Sequence, residues 1–191
     1  VYSFFTLYAN IDKFNFSENE IINSDKPELD RWIISELHSL INEVDKHYSH
    51  YEPTKAARAI SKFVQLYLSN WYVRLSRRRF WKGSYEKDKI SAYQTLFTCL
   101  IEIAKISSPI APFFMDRLYC DLISNTNFDS FNSVHHSNFP ISKSELIDEI
   151  LQKKIRKAQI ICSLVLSLRK KEKIKVRQPL SKIMIPYSLS L

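Results

Sequence analysis

Leu68-Ser69-Asn70-Trp71-Tyr72-Val73-Arg74-Leu75-Ser76-Arg77-Arg78-Arg79-Phe80-Trp81 closes the longest helical pattern in the sequence. Upstream, Pro53 suits a first helical turn because its ring presets φ and it has no N–H to leave unpaired. From there Ala56, Ala59, Ile60, Phe63, Val64, Tyr67, Trp71 and Leu75 recur at one-, three- and four-residue steps, so a single helix from Pro53 to Trp81 is expected, with that stripe against a core. The end of the run sets Arg74, Arg77, Arg78 and Arg79 among aromatic rings. Guanidinium groups pair bidentately with phosphate and stack on bases, and aromatic rings offer a stacking surface, so this residue mixture points to RNA.

Working outward, prolines punctuate further helices. Tyr2 to Ile11 suits a short helix, and Asn15 to Lys26 is polar enough for a loop. A second helix starts near Pro27 and repeats Leu29, Trp32, Ile33, Leu37, Leu40, Ile41 and Val44. Another spans about Lys89 to Ile106, stops at Ser107-Ser108-Pro109, and is followed by one from Phe113 to about Ile123. Ser124 to Ser144 reads as an exposed connection. Ser144 then caps a long helix whose apolar side is Leu146, Ile147, Ile150, Leu151, Ile155, Ala158, Ile161, Cys162 and Val165. After Lys173 the pattern Ile174, Val176, Ile183, Met184, Ile185 suits a short strand pair or an extension docked on a partner. The fold class is all-α: an antiparallel helical bundle over 1–141, a long basic helix over 142–173, and a short extended or β segment over 174–191 that starts a following region.

Composition narrows the function. The 191 residues suffice for one real core, and no apolar run approaches the roughly 20 residues of a membrane span. The opening residues lack both an initiator methionine and a signal-peptide pattern, so the chain is expected to begin inside a longer polypeptide. Lys and Arg exceed Asp and Glu by 28 to 20, a net +8 that favours a polyanionic partner if the charge is clustered. Gly83 is the single glycine, and phosphate cradles and dinucleotide turns need several, which argues against a nucleotide-binding catalytic site. Cys99, Cys120 and Cys162 are odd in number and sit in apolar helical patterns, so buried free thiols are expected, in keeping with a reducing cytoplasm. His135 and His136 are adjacent and cannot face one site in regular structure, so no zinc site is expected. Isolated carboxylates such as Glu18, Glu20, Asp30 and Glu36 lack a nucleophile or metal partner, and no catalytic constellation is read.

Within the arginine run, roles divide by helix angle. At the α-helical period Arg74 and Arg78 fall within about 40° of Ile60, on the apolar side. They therefore rank below Arg77 and Arg79 as candidate RNA contacts, with neutralisation by a core-edge carboxylate such as Asp30, Glu102 or Asp116 as the structural alternative. Arg77 and Arg79 are expected to point farther toward solvent and meet phosphate. Trp71 lies on the core face, where packing is favoured over a base stack, and Trp81 at the helix end suits either role. Trp71, Arg74, Arg77, Arg78, Arg79, Trp81 and Lys82 together are the candidate RNA contacts of this run. A second cationic cluster holds Lys153, Lys154, Arg156 and Lys157, then Arg169, Lys170, Lys171, Lys173, Lys175 and Arg177, with a geometry suited to tracking an RNA backbone.

Tyr2-Ser3-Phe4-Phe5-Thr6-Leu7-Tyr8-Ala9-Asn10-Ile11-Asp12, Asp30-Arg31-Trp32-Ile33, Asn70-Trp71-Tyr72-Val73-Arg74 through Trp81, and Pro109-Ile110-Ala111-Pro112-Phe113 together resemble the isoleucyl-tRNA synthetases of class I, over nearly the whole chain. His136 to Pro140 resembles the close of that family's helical anticodon-binding domain, and Arg177-Gln178-Pro179-Leu180 the start of its C-terminal region. The resemblance implies a module that grips the anticodon arm of tRNA(Ile) and docks on catalytic and C-terminal domains of the same polypeptide. It also implies a parent isoleucine-tRNA ligase, monomeric and cytoplasmic, that uses ATP and magnesium. The family's His-x-Gly-His and Lys-Met-Ser-Lys-Ser signatures are absent here and are expected upstream of Val1, so the chain alone carries no cofactor and no catalysis. Two alternatives remain open: a structural strut between domains, and the equivalent domain of a valyl-tRNA synthetase.

Overall fold

The computed structural model describes residues 1–16, 20–82, 84, 86–124 and 131–185. It is all-α: α1 (Tyr2–Asp12), α2 (Glu28–Ser49), α3 (Pro53–Lys62), a π-helical stretch (Phe63–Val73), α4 (Arg74–Trp81), α5 (Lys87–Ser107), α6 (Pro112–Ile123) and α7 (Glu149–Lys171). No helix among the described residues is long and apolar enough to cross a membrane. The chain divides into two compact units, Val1–Ile147 and Asp148–Leu191.

The first unit is organised around α2 and α5. On α2 the expected stripe of Trp32, Ile33, Leu37, Leu40, Ile41 and Val44 is buried, and Pro27 precedes the first turn as expected. On α5 burial reaches nearly all sides, including Tyr93, Leu96, Phe97, Leu100, Ile101 and Ala104, because neighbours cover it all round. Aromatic rings knit α1 and the residues just after it to the bundle: Phe4 meets Phe80 edge-on at 5.1 Å, Phe5 meets Tyr93 edge-on at 6.2 Å, and Phe14 beyond the helix stacks on Tyr93 at 4.9 Å. Asp12 closes the end of α1, accepting from Tyr93 at 2.6 Å and pairing with the buried Lys89 at 2.6 Å.

One expected helix differs in kind. Pro53 to Trp81 is continuous, but its middle third is π-helical. Each π turn holds one more residue than an α turn, so the inward stripe slips. It runs Ala56, Ile60, Phe63, Leu68, Tyr72, Ser76, Phe80, with five-residue steps on either side of Leu68 once Val73 is counted. Val64, Tyr67 and Trp71 are left half-buried, and Leu75, expected in the core, is 56% exposed.

Two further expectations are corrected. Ser144 lies in a 3-10 turn (Ser144–Leu146), and α7 starts later, with the Asp148 side chain accepting from Leu151 N–H at 2.9 Å. Of the apolar side expected for α7 only Leu151 is buried, and Cys162 is exposed, whereas Cys99 is buried and Cys120 half-buried. After α7 the described residues contain turns but no strand. The exposed connection expected over Ser124 to Ser144 lies partly outside the described residues. Its later part is tied down, since Asp116 accepts from Ser133 Oγ at 2.7 Å and Val134 N–H at 2.9 Å.

The segment leading out of the first unit is fastened to α2 through His38. Ser142 Oγ donates to the His38 carbonyl at 2.8 Å, and the Lys143 N–H donates to His38 Nδ1 at 3.2 Å, so Nδ1 is bare and the proton sits on Nε2. Burial, then the charge of Lys143, lowers the His38 pKa, with Glu145 opposing. A histidine whose folded pKa is depressed stabilises the fold above its unfolded value of about 6.5 and loses that contribution as pH falls toward the folded value. Urea midpoints are therefore expected to drop between pH 7.5 and pH 5 by more in the wild-type chain than in His38→Asn, whose amide oxygen keeps the acceptor without the titration. Equal drops in the two proteins would show that protonation of His38 contributes nothing to the pH dependence.

Candidate nucleic-acid interface

The slip in the long helix decides which arginines face where. Arg79, expected outside, turns inward: its Nη1 and Nη2 meet Asp30 Oδ1 and Oδ2 at 2.6 and 2.8 Å, and its Nε meets Asp88 Oδ2 at 3.0 Å. Asp30 is fully buried, with 0% side-chain exposure against 16% for Arg79, and it also accepts from Ser91 Oγ at 2.6 Å and Tyr72 OH at 2.9 Å. Burial disfavours the Arg79 charge, but the hydrogen bonds and charge of Asp30 outweigh it and raise the pKa. Burial, then the Asp30 charge, drives the Tyr72 phenol well above its usual range, so it remains a donor. Asp30 is a core-edge carboxylate as expected, but its partner is Arg79 and not Arg74 or Arg78.

The same slip frees the other arginines. Arg74, Arg77, Arg78 and Trp81 are spaced i, i+3, i+4 and i+7, which on an α-helix places them on one face. That face lies opposite Tyr72, Ser76 and Phe80, and all four side chains are exposed. None of the three arginines has a carboxylate partner among the described residues, and Trp81 stands 59% exposed at the end of the row, followed by the exposed Lys82. Three unneutralised guanidinium groups beside an open indole form a surface that can pair with phosphates and stack on a base. Arg74 and Arg78 thus join Arg77 on the outer face, while Trp71 is half-buried and Arg79 is absent from it.

The second unit carries the other expected cations. Arg169 Nη1 donates to the carbonyls of Lys175 and Gln178 at 2.8 and 2.9 Å, folding the chain after α7 back on the helix end. Lys170, Lys171, Lys173, Lys175 and Arg177 are exposed without ion-pair partners among the described residues. Lysines at the last turn of α7 also face the negative end of its dipole. Lys153 is paired with Glu149 at 3.0 Å. Among the described residues no group of His, Cys, Asp and Glu is placed to hold a metal ion.

The family model for the anticodon-binding domain of tRNA ligase matches residues 30–184. The chain belongs to this anticodon-binding domain family. It is 55% identical over 185 residues to the isoleucine–tRNA ligase of Bacteroides thetaiotaomicron, covering 97% of this chain and 16% of that protein. It is also 55% identical to the isoleucine–tRNA ligase of Cytophaga hutchinsonii and 48% identical to that of Dehalococcoides mccartyi strain 195, covering 97% of the chain and 17% and 18% of those proteins. The chain spans about a sixth of the length of the curated relatives it matches. Within this anticodon-binding domain, the matched span takes in both Asp30, which locks Arg79, and the outward row on α4.

Sequence reasoning found the arginine–tryptophan run but not its internal division. The signal it lacked was the π-helical stretch. It also passed over Tyr72 and Ser91 as partners of Asp30, since a hydroxyl 42 or 61 residues away in sequence leaves no local trace.

Proposed function

We propose that this anticodon-binding domain grips the anticodon stem and loop of tRNA(Ile) as part of an isoleucine–tRNA ligase. The observation that carries the reading is the row Arg74, Arg77, Arg78 and Trp81 on the outer face of α4, without acidic neighbours among the described residues. Phosphates supply most of the affinity through the arginines and Lys82, and unpaired bases meet Trp81. The cations Lys170, Lys171, Lys173, Lys175 and Arg177 of the second unit offer further phosphate contacts, with Arg169 holding their turn in shape. The identity to isoleucine–tRNA ligases supports isoleucine over valine as the amino acid of the parent enzyme. That enzyme is a cytoplasmic monomer in this reading. ATP and magnesium serve its catalytic domain, and the present chain contributes RNA contact and docks on its other domains.

Binding of a tRNA(Ile) anticodon stem-loop is expected to weaken with salt, since each phosphate contact contributes roughly 0.7 to 0.9 to the slope of log affinity against log salt. Contact by the three arginines and Lys82 then gives a slope of roughly −3. Fluorescence titrations at several salt concentrations measure it, and a flat response removes the electrostatic mechanism. The strut alternative draws on the Asp30–Arg79 clamp, which ties α2, α4 and the start of α5 together without RNA. A strut predicts unchanged stem-loop titrations when the outward row is altered.

A further inference from the structure

Between Glu52 and Glu86 the sequence holds eight Lys and Arg and no Asp or Glu, and the long helix from Pro53 to Trp81 fills most of that interval. Opposite its buried stripe, exposed positions recur from Arg58 to Trp81 at steps of four residues or fewer, so the helix turns one continuous face to solvent. Charge on that face falls in two blocks. Arg58 and Lys62 lie on α3, and Arg74, Arg77 and Arg78 on α4; none of the five has a carboxylate partner among the described residues. The π-helical stretch between the blocks has no charged residue, and its exposed positions are Gln65, Leu66, Ser69 and Asn70. The side chains of Ser69 and Asn70 have no hydrogen-bond partner among the described residues. Lys62 and Arg74 are twelve residues apart, which is roughly 18 Å at the α-helical rise and less with π turns.

We infer that this face lies across the minor groove of the bound RNA stem. Arg58 and Lys62 meet one backbone, Arg74, Arg77 and Arg78 the other, and Ser69 and Asn70 reach the 2′-hydroxyls between them, which leaves Trp81 toward the unpaired loop. The inference rests on the RNA-binding reading above and adds where the duplex lies and which side chains distinguish RNA from DNA. Two observations select a duplex stem as the occupant. The face continues the α4 row without interruption and carries no acidic residue, so it suits a polyanion along its whole length. An acidic peptide would be matched by cations throughout, whereas here an uncharged polar interval separates two cationic blocks. A-form RNA has that order of groups: its minor groove is wide and shallow, displays 2′-hydroxyls, and is flanked by two phosphate backbones. A hydroxyl and a carboxamide can each donate to and accept from a 2′-hydroxyl.

Fluorescence titrations test this with the full-length protein and the tRNA(Ile) anticodon stem-loop, unmodified or with one 2′-fluoro sugar in the stem at a time. Fluorine keeps the A-form sugar pucker but cannot donate a hydrogen bond, so the shape is held while the contact is removed. One or two stem positions are expected to cost the wild-type protein about fivefold each, the loss of a single hydrogen bond. Ser69→Ala with Asn70→Ala should weaken binding of the unmodified stem-loop by at least as much and become indifferent to fluorine at those positions. Its thermal midpoint should stay level, because both side chains are exposed and unpartnered among the described residues. Arg58→Ala with Lys62→Ala should lower the salt slope by about 1.5. Equal affinity of the wild type for every fluorinated stem, or undiminished fluorine sensitivity in the Ser69 and Asn70 variant, overturns the inference. So does a salt slope that the Arg58 and Lys62 changes leave unmoved. In each of those cases, loss of binding in the α4 arginine variants shows that the broader reading survives. A wild-type protein that does not bind the unmodified stem-loop ends both.

Discussion

Arg79→Ala is expected to destabilise the bundle by about 3–5 kcal/mol, read as a lower urea midpoint at unchanged slope. The size follows from what remains behind: among the described residues Asp30, with 0% side-chain exposure, would keep Tyr72 and Ser91 as its side-chain donors. Removing one partner of a buried ion pair exposes the full desolvation cost of the other, whereas replacing both costs far less. The double variant Asp30→Leu with Arg79→Met should therefore recover much of the loss, and the coupling in a double-mutant cycle should be large and favourable. Asp30→Ala alone should cost less than Arg79→Ala, because Arg79 keeps Asp88, whose side chain is 60% exposed, and can turn toward water. An Arg79→Ala protein as stable as wild type would mean that the clamp contributes nothing and that Arg79 is free for RNA after all.

The clamp also marks the boundary of what the sequence disclosed. The stripe on α2 and the extent of α5 were legible because their apolar positions repeat at one period between clear proline stops. Phe63 to Val73 was not, for a definite reason. Phe63, Val64, Leu66, Tyr67, Leu68, Trp71, Tyr72 and Val73 put apolar groups nearly all round the helix, so an α-period stripe through Val64, Tyr67 and Trp71 competes with the slipped one through Phe63, Leu68 and Tyr72. Packing against α2 and α5 buries the second. Beyond that stretch every residue is displaced on the wheel, which is why the arginines were recognised as a group while their inward member was misassigned. The start of α7 failed differently. Ser144 and Asp148 are both good caps, and the tether of Ser142 and Lys143 to His38, 104 and 105 residues away, bears on which is used. The second unit shows the converse limit, since the apolar positions of α7 read as a core face although only Leu151 is buried, most of the others are half-buried and Ile150 and Cys162 are exposed.

Replacing Arg74, Arg77 and Arg78 together with Ala is expected to weaken binding of the tRNA(Ile) anticodon stem-loop by roughly 100-fold or more at moderate salt, taking about 1–1.5 kcal/mol for each charge-assisted phosphate contact. The salt slope should fall by about 2 to 3 at the same time. The fold should barely respond, because the three side chains are exposed and unpaired among the described residues, and surface substitutions of that kind stay within about 0.5 kcal/mol each. This separation of binding from stability is what distinguishes the outer arginines from Arg79, whose loss should lower both. Trp81→Ala should reduce affinity by about 1–3 kcal/mol with the salt slope intact, the mark of a lost base stack and not of a lost phosphate. If the triple variant binds as wild type, the three arginines of the α4 row are only solvated surface, and the phosphate contacts fall to Lys82 and to the cations of the second unit, Lys170, Lys171, Lys173, Lys175 and Arg177. Replacing Lys170, Lys171, Lys173, Lys175 and Arg177 with Ala would then lower the affinity and the salt slope instead, and the slip that the π-helical stretch imposes on the long helix would serve packing alone.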